Sequence, residues 1–200
     1  MHRPDQYTPG MGRWQPGTRE RLQATALQLF ASQGYDQTTV AEIAAAAEVT
    51  ERTFFRHFAD KREVLFAGQD DFVGLFTGPI EAAPAETPPF GLVRVALESA
   101  GAFFPEERRT WSRARQGIID ANPALGEREL GKLASLKVRL GEVFRDRGVA
   151  EPVATITAET AVTVFHLSFA QWIAAGEVRP FSAIARERLD ALTDLVHPGR

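Results

Sequence analysis

Apolar residues recur at helical spacing from residue 18 onward, and the chain reads as a succession of helices punctuated by Gly and Pro. Leu22, Ala26, Leu29 and Phe30 fall on one face of a first helix, and Gly34 stands where a left-handed cap would close it. Thr39-Val-Ala-Glu42 has the form of a capping box. The threonine hydroxyl can accept the backbone N–H three residues on while the glutamate reaches back, opening a second helix of about two turns in EIAAAAE. Thr50 caps a third helix, ERTFFRHF, and Asp60-Lys-Arg-Glu63 repeats the capping signal before a fourth, expected from Asp60 to about Phe76. The segment 78–89, GPIEAAPAETPP, reads as a loop. Further helices are predicted on either side of Pro105, from Pro123 to Gly148, from Pro152 to Ala175 and from Phe181 to Val196. The Pro123 helix carries the apolar stripe Leu130, Leu133, Leu136, Val138, Leu140, Val143 and Phe144. No strand pattern or internal repeat interrupts this series, so the predicted class is all-α.

Residues 1–17 differ in kind. Pro4, Pro9, Gly10, Gly12, Pro16 and Gly17 interrupt any periodicity, and the stretch reads as a flexible arm, with His2, Arg3 and Arg13 able to enter a minor groove. It lacks the apolar core of a signal peptide, and no apolar run approaches the roughly 18–20 uncharged residues of a membrane span, so a soluble cytoplasmic protein is expected. The absence of cysteine excludes disulfides, thiolate metal sites and thiol nucleophiles. Net charge is -3, and residues 1–65 hold eight Lys/Arg against eight Asp/Glu, so bulk charge does not signal nucleic acid. A DNA-binding face has to come from local arrangement.

That arrangement is present in TTVAEIAAAAEVTERTFFRHF. Ile43, Ala44, Ala47, Val49, Phe54 and Phe58 can form an inner face, leaving Thr50, Glu51, Arg52, Thr53, Arg56 and His57 outside. Two short helices joined by a tight turn, the second carrying cationic and polar groups outward, suit a major groove, whose width admits one α-helix.

These residues resemble the N-terminal signature of the TetR family. The resemblance is carried by Thr39, Ile43 and Ala44, by Val49-Thr50, by Thr53-Phe54-Phe55-Arg56-His57-Phe58 and by Lys61, with Leu29, Phe30, Gly34 and Tyr35 like the family's first helix. It covers residues 18 to about 66. It implies an N-terminal three-helix helix-turn-helix domain (18–65) followed by a larger helical effector-binding and dimerisation domain (66–200), in a homodimeric regulator of double-stranded operator DNA. Repression relieved by a small-molecule effector is the mode implied. By the same resemblance Thr39 and Thr50, near helix N-termini, hold phosphates, Lys61 contacts a phosphate and His57 the DNA backbone. Arg52, Thr53 and Arg56 are the candidates for base edges. Phe55 stands where the family usually has tyrosine, which removes a hydroxyl that can bind phosphate. Glu48 stands where the family favours glycine, and a non-glycine residue in a left-handed turn costs roughly 1–2 kcal/mol.

The rear domain carries the remaining chemistry. The 152–175 helix is apolar nearly all round, with Ile156, Val162, Val164, Phe165, Leu167, Phe169, Trp172 and Ile173 among small residues, so it has to be covered nearly all round. The resemblance assigns dimerisation to this helix and the last one, residues 153–195. Phe103, Phe104, Trp111, Phe144, Phe165, Phe169 and Trp172 are candidate walls of a ligand cavity, with Arg115, Gln116 and His166 as polar handles. No HExxH, ExxH pair, Gly-rich phosphate loop or nucleophile elbow occurs, so an enzyme is not expected, nor a cofactor or metal. A helical ligand-binding or scaffold protein that has lost DNA binding is the competing reading, favoured by Glu48 and the balanced N-terminal charge.

Overall fold

The computed structural model describes residues 17–66 and 69–196, and the described elements are all helices. The arm expected over 1–17, with His2, Arg3 and Arg13, lies outside the described residues except for Gly17. In order the helices are α1 (Thr18–Gln33), α2 (Val40–Ala46), α3 (Glu51–His57), α4 (Glu63–Phe66), α5 (Gln69–Ala82), α6 (Pro89–Gly101), α7 (Glu106–Asp120), α8 (Pro123–Asp146), α9 (Val153–Trp172) and α10 (Phe181–Val196).

Local chemistry explains most of these boundaries. Thr39 and Glu42 form the reciprocal box at the start of α2: Thr39 Oγ1 accepts from the Glu42 N–H at 3.2 Å, and the Thr39 N–H donates to Glu42 Oε2 at 2.8 Å. Thr50 Oγ1 accepts the Thr53 N–H at 3.2 Å at the head of α3. The signal at Asp60 is realised by half. Asp60 Oδ1 accepts the N–H groups of Arg62 and Glu63, but the Glu63 carboxylate turns away to Arg128 of α8. Gly34 ends α1 at φ 89° and ψ 152°; the positive φ suits glycine, but ψ lies far from the left-handed helical value expected of the cap.

The sequence and the structure part most clearly at Pro79 and on α8. The loop expected over 78–89 is helical as far as Ala82, so that Pro79 sits inside α5. Phe76 and Ile80, four residues apart and both fully buried, hold the helix to the core through the proline, which removes one helical hydrogen bond. On α8 the buried stripe is Leu136, Leu140, Val143 and Phe144, whereas Leu130 and Val138 stand 63% and 64% exposed. The helix expected over 60–76 is described as two runs, α4 and the first half of α5, with residues 67–68 between them outside the described residues.

Two apolar cores organise the molecule. The larger joins α5, α6, α8, α9 and α10 around Phe76, Leu97, Leu140, Phe144, Phe165, Trp172 and Phe181. The smaller gathers Leu22, Phe30, Ile43, Phe54, Phe58, Val64 and Phe66 from α1–α4, and it is completed by Ile118 and Ile119 of α7 and Leu125 of α8. Helix α8 therefore spans both cores, whereas α7 reaches the smaller one with its C-terminal half. The N-terminal half of α7 is fastened by Arg109, 4% exposed, which donates to the carbonyls of Trp172, Glu177 and Arg179 and to the Glu106 carboxylate. Helix α9 is long and apolar enough, by length and composition, to cross a membrane, but it is the central helix of the larger core and packs on α6, α8 and α10.

Candidate nucleic-acid interface and the helical-domain cavity

Helices α2 and α3 are held by their apolar sides. Ile43 and Phe54 are fully buried, and Ala44, Ala47 and Phe58 nearly so, as the alternation of apolar and polar positions requires. The opposite side of α3 presents Thr50, Glu51, Arg52 and Arg56 to solvent, with Thr53 half-buried beside them. Arg52 and Arg56 make no ion pair or hydrogen bond among the described residues, so both guanidiniums are free to bind. Phe55 projects from the same helix, 53% exposed, its ring edge against Phe54.

Two of the residues expected at DNA are engaged internally. Lys61 lies in the turn before α4, where its Nζ donates to the carbonyls of Tyr35, Asp36 and Thr38 at 2.8, 3.3 and 2.9 Å and sits 4.3 Å from the centre of the Tyr35 ring. An ammonium has three donors, and all three here tie the α1–α2 loop to the turn. His57 turns Nε2 inward, buried and without a hydrogen-bond partner among the described residues, next to the ring of Phe58. Thr39 and Thr50 keep exposed positions at the starts of α2 and α3, but each hydroxyl already serves as a cap.

Behind this head, between α4, α5, α7, α8 and α9, lies a cavity of about 610 Å³. Of the wall residues expected from sequence, Phe103, Phe104, Trp111, Arg115, Gln116, Phe165, His166 and Phe169 line it. Phe144 and Trp172 do not: both are wholly buried in the larger core, where nothing but protein reaches them. The structure adds Phe72 from α5, Arg108 and Ser112 from α7, and Glu129 and Lys132 from α8. A sequence signal for the α7 residues existed, because 108, 111, 112, 115, 116 and 119 fall on one helical stripe. Trp111, Arg115 and Gln116 are on that stripe, but Arg108 and Ser112 are polar and give no sign of their own that they face a cavity.

The cavity's polar end touches α4 directly. Arg115 Nε donates to the Leu65 carbonyl at 2.7 Å and its Nη1 to Glu129 at 2.8 Å, while Lys132 Nζ donates to the Phe66 carbonyl at 3.2 Å. The guanidiniums of Arg115 and Arg128 and the ammonium of Lys132 all lie within 6 Å of the Phe66 ring centre. The last carbonyls of α4 are thus held by cavity-lining cations.

Comparison with known proteins fits this geometry. Residues 22–67 match the family described as bacterial regulatory proteins, tetR family. The transcriptional regulator TcmR of Streptomyces glaucescens is 40% identical over 103 residues, 52% of this chain and 41% of that protein. The N-terminal part of the chain carries the pattern of the tetR family. The matched stretch thus spans less than half of TcmR. Over the whole fold, a protein assigned to the TetR family from Syntrophomonas wolfei superposes with a TM-score of 0.66 at 19% identity, covering 92% of this chain and 96% of that one. FadR of Thermus thermophilus, a TetR-family transcriptional repressor solved with lauroyl-CoA, superposes with a TM-score of 0.52 at 20% identity, covering 88% and 93%.

Against the TetR-family pattern, Glu48 is the clearest departure. It adopts φ 55°, the only positive φ of a non-glycine residue among those described, in the turn between α2 and α3. Its N–H still donates to the Ala45 carbonyl, so the turn forms despite the Cβ. Glu48→Gly is expected to raise stability by about 0.5–1 kcal/mol, the relief of left-handed strain less the entropy glycine adds to the unfolded chain. A urea midpoint that falls in this variant would show that the turn is not strained.

Proposed function

We propose that this chain is a homodimeric repressor that reads operator DNA with α3 and releases it when a small molecule occupies the cavity behind α4. The observation that carries the reading is the paired α2–α3 head, whose Arg52 and Arg56 are solvent-facing and unpaired while its opposite side is core. We take residues 18–65 as the DNA-binding unit and 66–200 as the effector-binding and dimerisation unit. Arg52, Thr53 and Arg56 approach base edges in the major groove, and Thr39 and Thr50 lie toward the phosphates. Lys61 and His57 act from behind, Lys61 by bracing the loop that leads into α2.

The partner subunit packs on the outward side of α9. Ile156, Thr163, Leu167 and Ala170 are exposed there at spacings of seven, four and three, a continuous stripe down one face. A symmetric dimer across that stripe sets two α3 helices for successive major grooves, about 34–36 Å apart. The effector works through Arg115 and Lys132. A ligand that draws either cation away from the α4 carbonyls changes how the head is held, and so favours one spacing over the other. Both roles place the protein with DNA in the cytoplasm.

Selection of bound duplexes from a random library at physiological salt tests the reading. The wild type should recover a two-fold-symmetric motif. Arg56→Ala should relax one position in each half-site, a loss of about 1–3 kcal/mol of discrimination. Recovery of no motif by folded protein would leave the competing reading, a helical ligand-binding protein without DNA.

A further inference from the structure

Each charged side chain on the cavity wall has an obvious commitment but one. Glu129 receives Arg115 and, at 3.0 Å, the amide of Gln116, which also donates to Asp120 at 2.8 Å. Lys132 is directed at the Phe66 carbonyl. Arg108 is different. Its guanidinium lies 3.8 Å from the centre of the Phe103 ring and 5.4 Å from that of Trp111, half-buried, with no carboxylate and no hydrogen-bond acceptor among the described residues. Two ring faces attract a cation, but they leave its N–H donors unmade, and a partly desolvated cation without an acceptor is costly. Burial, and then the neighbouring Arg115, lower the affinity of this guanidinium for its proton, as expected of a positive charge in a site that lacks its counter-charge.

The rest of the wall defines what a counter-charge would be attached to. Phe72, Phe103, Phe104, Phe165 and Phe169 form a contiguous aromatic end, and about 610 Å³ lies within the range of sites for drug-sized molecules. We propose that the cavity takes an amphipathic organic anion, with an apolar ring-sized body among these phenylalanines and an anionic head group paired to Arg108. The planar fork of the guanidinium, already oriented by the two rings, suits a two-oxygen acceptor such as a carboxylate or sulfonate. This rests on the reading of the cavity as the effector site.

A matched pair of fluorescent probes separates head group from body: 8-anilinonaphthalene-1-sulfonate and its uncharged analogue N-phenyl-1-naphthylamine, titrated into the full-length protein. The wild type should bind both, the sulfonate more tightly. Arg108→Gln, with its fold checked by circular dichroism, should weaken the sulfonate by about 10–100-fold, the range for a lost charge-assisted hydrogen bond, and leave the neutral probe unchanged. Leu133→Trp, which fills the cavity from α8, should weaken both. Equal loss of both probes in Arg108→Gln, or none, would overturn the anion assignment while leaving an effector cavity in place. If Leu133→Trp changes neither probe, or neither binds the wild type, the cavity itself is not the site, and the effector reading falls with the proposal.

Discussion

Arg109→Met should destabilise the protein by about 3–5 kcal/mol, the scale for breaking a buried, fully hydrogen-bonded charge. The guanidinium is 4% exposed and uses all of its nitrogens: Nε and Nη2 bind the Glu106 carboxylate, Nη1 the carbonyls of Trp172 and Glu177, and Nη2 also the carbonyl of Arg179. These carbonyls follow one another through the end of α9 and the connection to α10, where helical partners have run out. Methionine fills much of the volume but donates nothing, so three carbonyls lose their donor in a place water reaches poorly. The ring of Trp172, 5.0 Å from the guanidinium carbon, loses its cation as well. Chemical denaturation should register a lower midpoint at unchanged slope. A cost under about 1 kcal/mol would mean that water replaces the guanidinium and that the α9–α10 connection is not held by it.

Arg109 also illustrates which parts of the molecule the sequence discloses. The helix-turn-helix is legible because its signals are local: Thr39 and Glu42 are three residues apart, as are Thr50 and Thr53, and the apolar spacing that buries Ile43 and Phe54 needs no knowledge of the rest of the chain. The family resemblance draws on that same stretch. Roles that depend on residues far apart in the chain are not legible in this way. The arginine that caps α9 lies 63 residues before Trp172, and Lys61 reaches carbonyls 23 to 26 residues back. The sequence marks Lys61 as a phosphate contact and is silent on the three carbonyls around its ammonium. Pro79 reads as a helix breaker for a related reason, since its sequence signal carries nothing of the burial of Phe76 and Ile80 that offsets one missing hydrogen bond. Phe144 and Trp172 looked like cavity walls because a large aromatic carries the same sequence signal whether it faces a void or a packed neighbour.

The completion of the head's core by Ile118, Ile119 and Leu125 bears on how a distant ligand could act. The head does not hang from α4 alone. It shares apolar packing with the end of α7 and the start of α8, and these two helices also carry Arg108, Arg115 and Lys132. Glu63 of α4 adds an ion pair to Arg128 of α8. A shift of α7 relative to α8 around a ligand would therefore move both the polar clamp on the α4 carbonyls and the apolar seat beneath α1. The physical requirement is only that the ligand bind one arrangement better than the other.

Leu167→Glu is expected to convert the protein to a monomer and to lower operator affinity by about 10²–10⁴-fold, the advantage that two linked heads hold over one. Leu167 is 52% exposed on α9 and Ile156, on the same stripe, is 59% exposed, so neither is needed for the core of one subunit. A substitution at such a position changes the stability of a lone chain by only about 0.5 kcal/mol, which makes any large effect a report on association. A carboxylate at the middle of a two-fold interface would meet its own copy, and desolvation and like-charge repulsion would act on both subunits at once. Sedimentation should give a dimer for the wild type and a monomer for the variant, with unchanged helix content. The monomer should still show weak, salt-sensitive binding to DNA, because each head keeps its own Arg52 and Arg56. A variant that sediments with the wild type would place the interface elsewhere on the surface, and a variant that is monomeric yet binds the operator at full strength would remove the two-headed mechanism while leaving the head itself intact.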